Sequence, residues 1–164
     1  PLLTDQGFSL EFATSVLMVL MVFGAFGRIF GGILGDRIGA LPGYILMSLG
    51  QTIFVIWFPD LISPTTIYVM AALFGFTYSG VMSSILVCTR MMVPANYGAR
   101  AMSLTSFFGW IGMGLGGFLG GYFFDIYGNY NWAFTFAGLS GVINLIILSF
   151  FFLYIRRAER LVLN

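Results

Sequence analysis

One charged side chain stands deep inside an apolar stretch. Arg28, in Gly27-Arg-Ile-Phe-Gly31, is the sole charge between Glu11 and Asp36. An ionisable group at such a position is costly and faces a polar cavity or a partner. A guanidinium is permanently charged, and its fork of donors matches a carboxylate or phosphate. The apolar stretches hold no acid to neutralise it, which points to an anionic ligand. The plainer readings are a structural ion pair or an arginine that snorkels to the headgroups. Gly24, Gly31, Gly32 and Gly35 share its helix face by spacing, which turns Arg28 toward a packed interior. Tyr78 and Trp110 combine a ring with a polar handle, and with Ser106 they are the candidates to line a cavity beside it. Thr77, Ser79, Ser83, Ser84, Ser103 and Thr105 are also hydroxyls in apolar surroundings, where bonding to a carbonyl of the same helix is the ordinary role.

Other chemistry is excluded by what the chain lacks. It has no histidine and one cysteine, Cys88, so no Ser-His or Cys-His nucleophile can be built. No Cys/His cluster exists to hold a metal, and no cofactor is expected. Without a buried acid-base pair in any apolar stretch, the reading is not an enzyme. A net charge of +1 gives no basic surface for nucleic acid.

These residues must be positioned by membrane helices. Of 164 residues, 59% are hydrophobic and 8% charged, too few charges to cover a particle in water, where about 25% is usual. A span needs about 20 mainly apolar residues. The charges and turn signals divide the chain into five spans, near 12–35, 41–58, 65–88, 101–124 and 132–155. Punctuation comes from Gly39-Ala-Leu-Pro42, Pro59-Asp60 with Pro64, Pro94 to Gly98, and Gly128 to Asn131. Tyrosine and tryptophan gather at these ends, as interfacial belts require. The expected architecture is all-α and integral to the membrane, with lipid as a partner.

Arginine placement orients the chain. Arg37, Arg90, Arg100, Arg156, Arg157 and Arg160 fall on one side, while the other carries Asp5, Glu11, Asp60 and Asp125 without an arginine. The positive-inside rule makes the first side, with the C-terminus, cytoplasmic. The odd span count and a start at Pro-Leu-Leu-Thr-Asp5 lead us to expect at least one further helix upstream; a cleaved signal sequence is the alternative. A plasma or bacterial inner membrane is the expected location.

The chain also repeats itself. Gly31-Gly-Ile-Leu-Gly-Asp36-Arg-Ile-Gly39 and Gly120-Gly-Tyr-Phe-Phe-Asp125-Ile-Tyr-Gly128 share the pattern Gly-Gly, three residues, Asp, two residues, Gly. Each closes a glycine-rich helix, and the two lie three spans apart, so the copies are inverted across the membrane, as in secondary transporters. Gly27, Gly31 and Gly35, and likewise Gly112, Gly116 and Gly120, form faces that admit another backbone. Static packing and rocking are both compatible with such faces. Asp36 opposes the dipole at a helix C-terminus and calls for a cationic partner, Arg37 or Arg100, or a helix N-terminus outside the chain. We read Gly31, Gly35, Asp36, Arg37, Gly39 and Arg100 as a gating motif, against a plain solvated loop. Asp125 is read as a cap on the outer end of the fourth span.

The first repeat resembles the cytoplasmic loop signature Gly-x-x-x-Asp-Arg-x-Gly of the major facilitator superfamily, with Ala40-Leu41 where the family carries a basic pair. That resemblance implies helices 8 to 12 of a twelve-helix fold, a C-terminal six-helix bundle lacking its first helix. The N-terminal transmembrane half would then be a missing partner. Gly27-Arg28-Ile-Phe-Gly31 and the Gly121-Tyr-Phe-Phe-Asp125 ending followed by Trp132-Ala-Phe resemble the monocarboxylate transporter and oxalate-formate antiporter branch. The branch implies that Arg28 grips a substrate carboxylate. Absence of lysine argues against two-cation binding of a dicarboxylate, and Gly24 stands where proton-coupled members often carry an aspartate. The resulting expectation is a secondary active transporter, by symport or antiport, of a small organic anion, most simply a monocarboxylate, by alternating access. A non-transporting receptor or scaffold relative, or a truncated product inactive alone, is the alternative.

Overall fold

The computed structural model describes residues 2–162, with side chains described through Arg157; Arg160, counted above among the orienting arginines, lies outside those side chains. Six α-helices run in chain order: α1 Leu2–Asp5, α2 Leu10–Ile38, α3 Ala40–Trp57, α4 Pro64–Met92, α5 Gly98–Tyr127 and α6 Asn131–Val162. Short 3-10 turns at Phe58–Asp60 and Ala95–Tyr97 join α3 to α4 and α4 to α5. The described residues hold no strand, and α2 to α6 are each part of a stretch long and apolar enough to cross a membrane.

The helix ends follow local chemistry. Ser9 caps α2 by accepting from the Phe12 N–H at 3.2 Å, satisfying one of the free donors of a first turn. Pro64 opens α4, where its missing N–H costs nothing. The last glycine of each repeat copy does the same work: Gly39 at φ +98° and Gly128 at φ +65° end their helices. Each donates its N–H four residues back, Gly39 to Gly35 O at 3.1 Å and Gly128 to Phe124 O at 2.8 Å. An L side chain is strained at such φ values. Gly128 therefore terminates α5, and Asp125 is exposed rather than a cap.

α4 is the hub, packed between α2 and α3, with α6 against the far side of α3. Helices in lipid gain no hydrophobic drive from meeting, so close backbone contact must hold them. At α2 and α4 it does. A Cβ on Gly27 would overlap the Phe76 carbonyl, one on Gly75 the Leu20 carbonyl, and one on Gly31 would come 2.8 Å from Gly80 O. Two apolar clusters flank this seam. Leu3, Val16, Ile67 and Ala71 form one, at the α2 N-terminal end, and Leu41, Tyr44, Met47, Val81, Cys88 and Leu148 the other.

Gly27, Gly31 and Gly35 form the close-packed face expected of them, and the grouping of Gly32 with Gly24, Gly31 and Gly35 needs correction. The buried face of α2 is Gly24, Gly27, Gly31 and Gly35, whereas a Cβ on Gly32 would meet nothing. Gly27, not Gly32, continues the stripe, and Arg28 lies just outside it and is exposed instead of pointing into the packed seam. On α5, a Cβ at Gly109, Gly112, Gly116 or Gly120 meets nothing within 4 Å. The second glycine face has no partner among the described residues.

Candidate functional site

Arg28 on α2 reaches a cavity of about 340 Å³ between α2, α4 and α5, open on one side. α4 supplies Tyr78, Met82 and Ser83 to its wall, and α5 supplies Thr105, Ser106, Gly109, Trp110 and Met113. The α5 residues recur every three to four positions, so one helix face provides them all. No carboxylate lines the cavity, leaving the guanidinium charge without a neutralising neighbour there. Arg28, Tyr78, Ser106 and Trp110, singled out from the sequence, are thus brought together around one space.

The wall is partly fixed and partly free. Tyr78 stacks on Phe74 with centroids 5.7 Å apart, and its hydroxyl points at the Met113 sulfur, 3.8 Å away. Thr105 and Thr89 hydroxyls meet at 3.2 Å, tying α5 to α4. Trp110 is 72% exposed and takes no ring contact among the described residues.

The other hydroxyls mostly take their ordinary role. Thr77 donates to Leu73 O at 3.0 Å and Ser103 to Ala99 O at 2.9 Å. Ser79 and Ser84 are buried toward α2 rather than toward the cavity: a Cβ on Gly24 would come 2.5 Å from Ser79 Oγ, and one on Gly31 would come 3.2 Å from Ser84 Oγ. Asn144 on α6 accepts from Tyr44 Oη at 3.5 Å and donates to Ser48 Oγ at 3.4 Å, pinning α6 to α3. Met82, Met113 and Thr105 are wall residues that the sequence reading passed over as ligand contacts. For Thr105 and Met113 the signal was the α5 register shared with Ser106 and Trp110.

The charged residues of the gating motif do not meet one another. Asp36, Arg37 and Arg100 are exposed, and no ion pair joins them among the described residues. Arg37 and Arg100 do not supply the cationic partner expected for Asp36. Gly31 and Gly35 instead serve the α2 seam and Gly39 the turn into α3.

A second space, about 600 Å³, lies between α3, α4, α5 and α6, with the α5 glycines Gly112, Gly116 and Gly120 on one wall and Ser48, Gln51 and Asn144 opposite. At the α2 N-terminal end of the bundle, Tyr130 donates to Asp5 Oδ2 at 2.7 Å and Gln6 Nε2 donates to Pro59 O at 3.1 Å. Burial, the bond to Asp5 and the charges of Asp5 and Asp125 push the Tyr130 phenol up to about 12.

The Major Facilitator Superfamily profile matches residues 1–163. A riboflavin transporter of Saccharomyces cerevisiae is 36% identical over 87 residues, 52% of this chain and 17% of that protein. The chain thus matches well under a fifth of this relative's length. No solved structure matches. These similarities carry the superfamily and not the monocarboxylate or oxalate-formate branch. With five apolar helices and an inverted glycine repeat already in view, the profile match makes the conclusion plain: the chain is a multi-pass membrane protein of the major facilitator superfamily.

Proposed function

We propose that this chain is the substrate-gripping part of a secondary transporter that moves a small organic anion, most simply a monocarboxylate, by alternating access. The observation that carries it is the convergence of Arg28, Tyr78, Ser106 and Trp110 on one cavity without a carboxylate. In such a site an anion is the natural neutraliser of a guanidinium that no carboxylate faces. Uptake into vesicles by the full-length protein tests this. Arg28→Ala should cut monocarboxylate uptake at least ~100-fold, about 2.8 kcal/mol at 1.4 kcal/mol per tenfold, and Arg28→Lys should recover only part. Wild-type uptake by Arg28→Ala would sink the anchor role. Uptake of riboflavin, the substrate named for the yeast relative, in place of an acid would replace the monocarboxylate reading and leave the transporter reading standing.

The same proposal includes helices outside this chain. The inverted repeat supports it: the first glycine face is closed by α4, and the second, on α5, fronts the 600 Å³ space with nothing against it. A helix carrying small residues would complete the pair there, and an N-terminal transmembrane half would cover the Arg28 cavity. The arginine-bearing ends would face the cytoplasm of a plasma or inner membrane, which impermeant labelling of cysteines introduced beside Arg100 and beside Asp60 would test. Asp36, Arg37 and Arg100 would find their partners on that other half as a gate. A non-transporting receptor or scaffold would bind the anion without moving it across vesicles.

A further inference from the structure

The Arg28 cavity is too large and too aromatic for the smallest acids. A three-carbon carboxylate displaces about as much space as three or four waters, roughly 100 Å³ at ~30 Å³ each. The cavity measures about 340 Å³, so such an anion at Arg28 would leave most of the wall untouched. That remaining wall is built for a flat apolar body. Trp110 and Tyr78 offer rings, and Met82 and Met113 offer polarisable sulfurs, which favour contact with aromatic edges. Of the hydroxyls, Thr105 is already engaged with Thr89 and that of Tyr78 points at Met113, which leaves Ser83 and Ser106 for polar contacts.

Depth separates the two kinds of wall. At 1.5 Å per residue, Arg28 lies about 15 Å along α2 from Ile38, and Ser106 lies about 12 Å along α5 from Gly98. Trp110 lies about 18 Å from that same end of the bundle, and Tyr78 about 21 Å along α4 from Met92. Tryptophans of an interfacial belt sit at headgroup level, whereas Trp110 is near mid-membrane. The helix positions that carry the rings are thus offset from that of Arg28 by a few ångströms in depth, about the reach from an acid group to an attached ring.

We propose that the cavity is a two-part site, in which Arg28 takes an acid group and Trp110 with Tyr78 takes a flat ring, so that the preferred substrate is an aromatic carboxylate. This rests on the anion-transporter reading above and adds a specificity role for the two rings. Pyruvate and phenylpyruvate make the test, since they share the acid and keto groups and differ by a ring. In vesicles bearing the full-length protein, wild type should take up phenylpyruvate at least ~10-fold more efficiently than pyruvate. Trp110→Phe should keep that preference, and Trp110→Leu should cut phenylpyruvate uptake at least ~10-fold more than pyruvate uptake. Tyr78→Leu, read the same way, decides the matter if the Trp110 variant does not accumulate. Equal uptake of the two acids by wild type, or a preference that survives both leucine variants, overturns the ring slot and leaves Arg28 as anchor. Arg28→Ala with undiminished uptake of both acids overturns the anchor instead, and uptake of neither acid by wild type overturns both.

Discussion

Single side chains in this bundle divide between those that hold it together and those left open to a ligand. Ser84 belongs to neither group. Its hydroxyl is buried at the α2–α4 seam without a hydrogen-bond partner among the described residues, a state that costs about 1–3 kcal/mol. Ser84→Ala should therefore raise stability by about 1 kcal/mol, read as a higher unfolding midpoint in detergent micelles; a lower midpoint would mean that the hydroxyl is satisfied in the membrane. Tyr130 shows the opposite case, a polar group whose partner fixes its protonation. Desolvation is the first cause of its raised pKa, followed by the bond and charge of Asp5 and the charge of Asp125. The neutral phenol is what the fold favours. The stability from this contact is thus complete below pH ~10, the ordinary tyrosine value, and is lost as pH rises through about 12. Asp5→Asn should lower the Tyr130 pKa toward 10, followed by the carbon-13 shift of its ring; an unchanged titration would show that Asp5 does not control it.

At the scale of helices, the glycine faces decide what can move. α2 and α4 meet so closely at Gly27 and Gly75 that the backbone of the opposite helix occupies the place of a side chain. Sliding along such a seam would drive carbonyls into Cα positions, so the pair should move as one body. Gly27→Ala should destabilise the bundle by about 1–3 kcal/mol, as overpacking does. Gly32→Ala, where the added Cβ meets nothing, should be neutral or stabilising by up to ~1 kcal/mol through helix propensity. Equal midpoints for the two variants would refute the seam. The helices themselves were legible in the sequence because apolar length, turn residues and charge placement all act locally. The four-residue spacing of Gly27, Gly31 and Gly35 marked the seam as well. That Gly32 falls outside it was not legible, since Gly32 fits helical spacing with Arg28 and Gly35 and only the crossing of α4 over α2 leaves it open. The candidate site was legible as a set of types, since a lone arginine and polar aromatics stand out against apolar surroundings. Its methionines did not stand out, because Met82 and Met113 look like ordinary core until α5 is laid against α4.

For the molecule as a whole, the informative feature is asymmetry between the two repeat copies. Of an 18-residue apolar stretch of α2, 22% is buried inside the bundle, against 0% for that of α5, although α5 has the denser run of glycines. Lipid-facing helices ordinarily present bulky apolar side chains, because small residues forgo contact with the acyl chains and suit helix interfaces instead. A helix lined with Gly112, Gly116 and Gly120 along an empty 600 Å³ space is shaped for another backbone. If the inverted repeat governs packing, that backbone meets α5 as α4 meets α2, with carbonyls at the Cα of the middle glycines. Gly116→Leu separates the possibilities. Within this chain the leucine has open space, and facing lipid it would be neutral or would gain helix propensity. Against a close-packed helix it must push the partner away. The full-length Gly116→Leu protein should therefore lose about 2 kcal/mol or more of stability, within the upper range of overpacking, with a fall in transport to match. Gly117→Leu, one residue around the helix, should be milder. Wild-type midpoint and transport in Gly116→Leu would mean that the second glycine face meets lipid, and that the repeat records ancestry without recording packing.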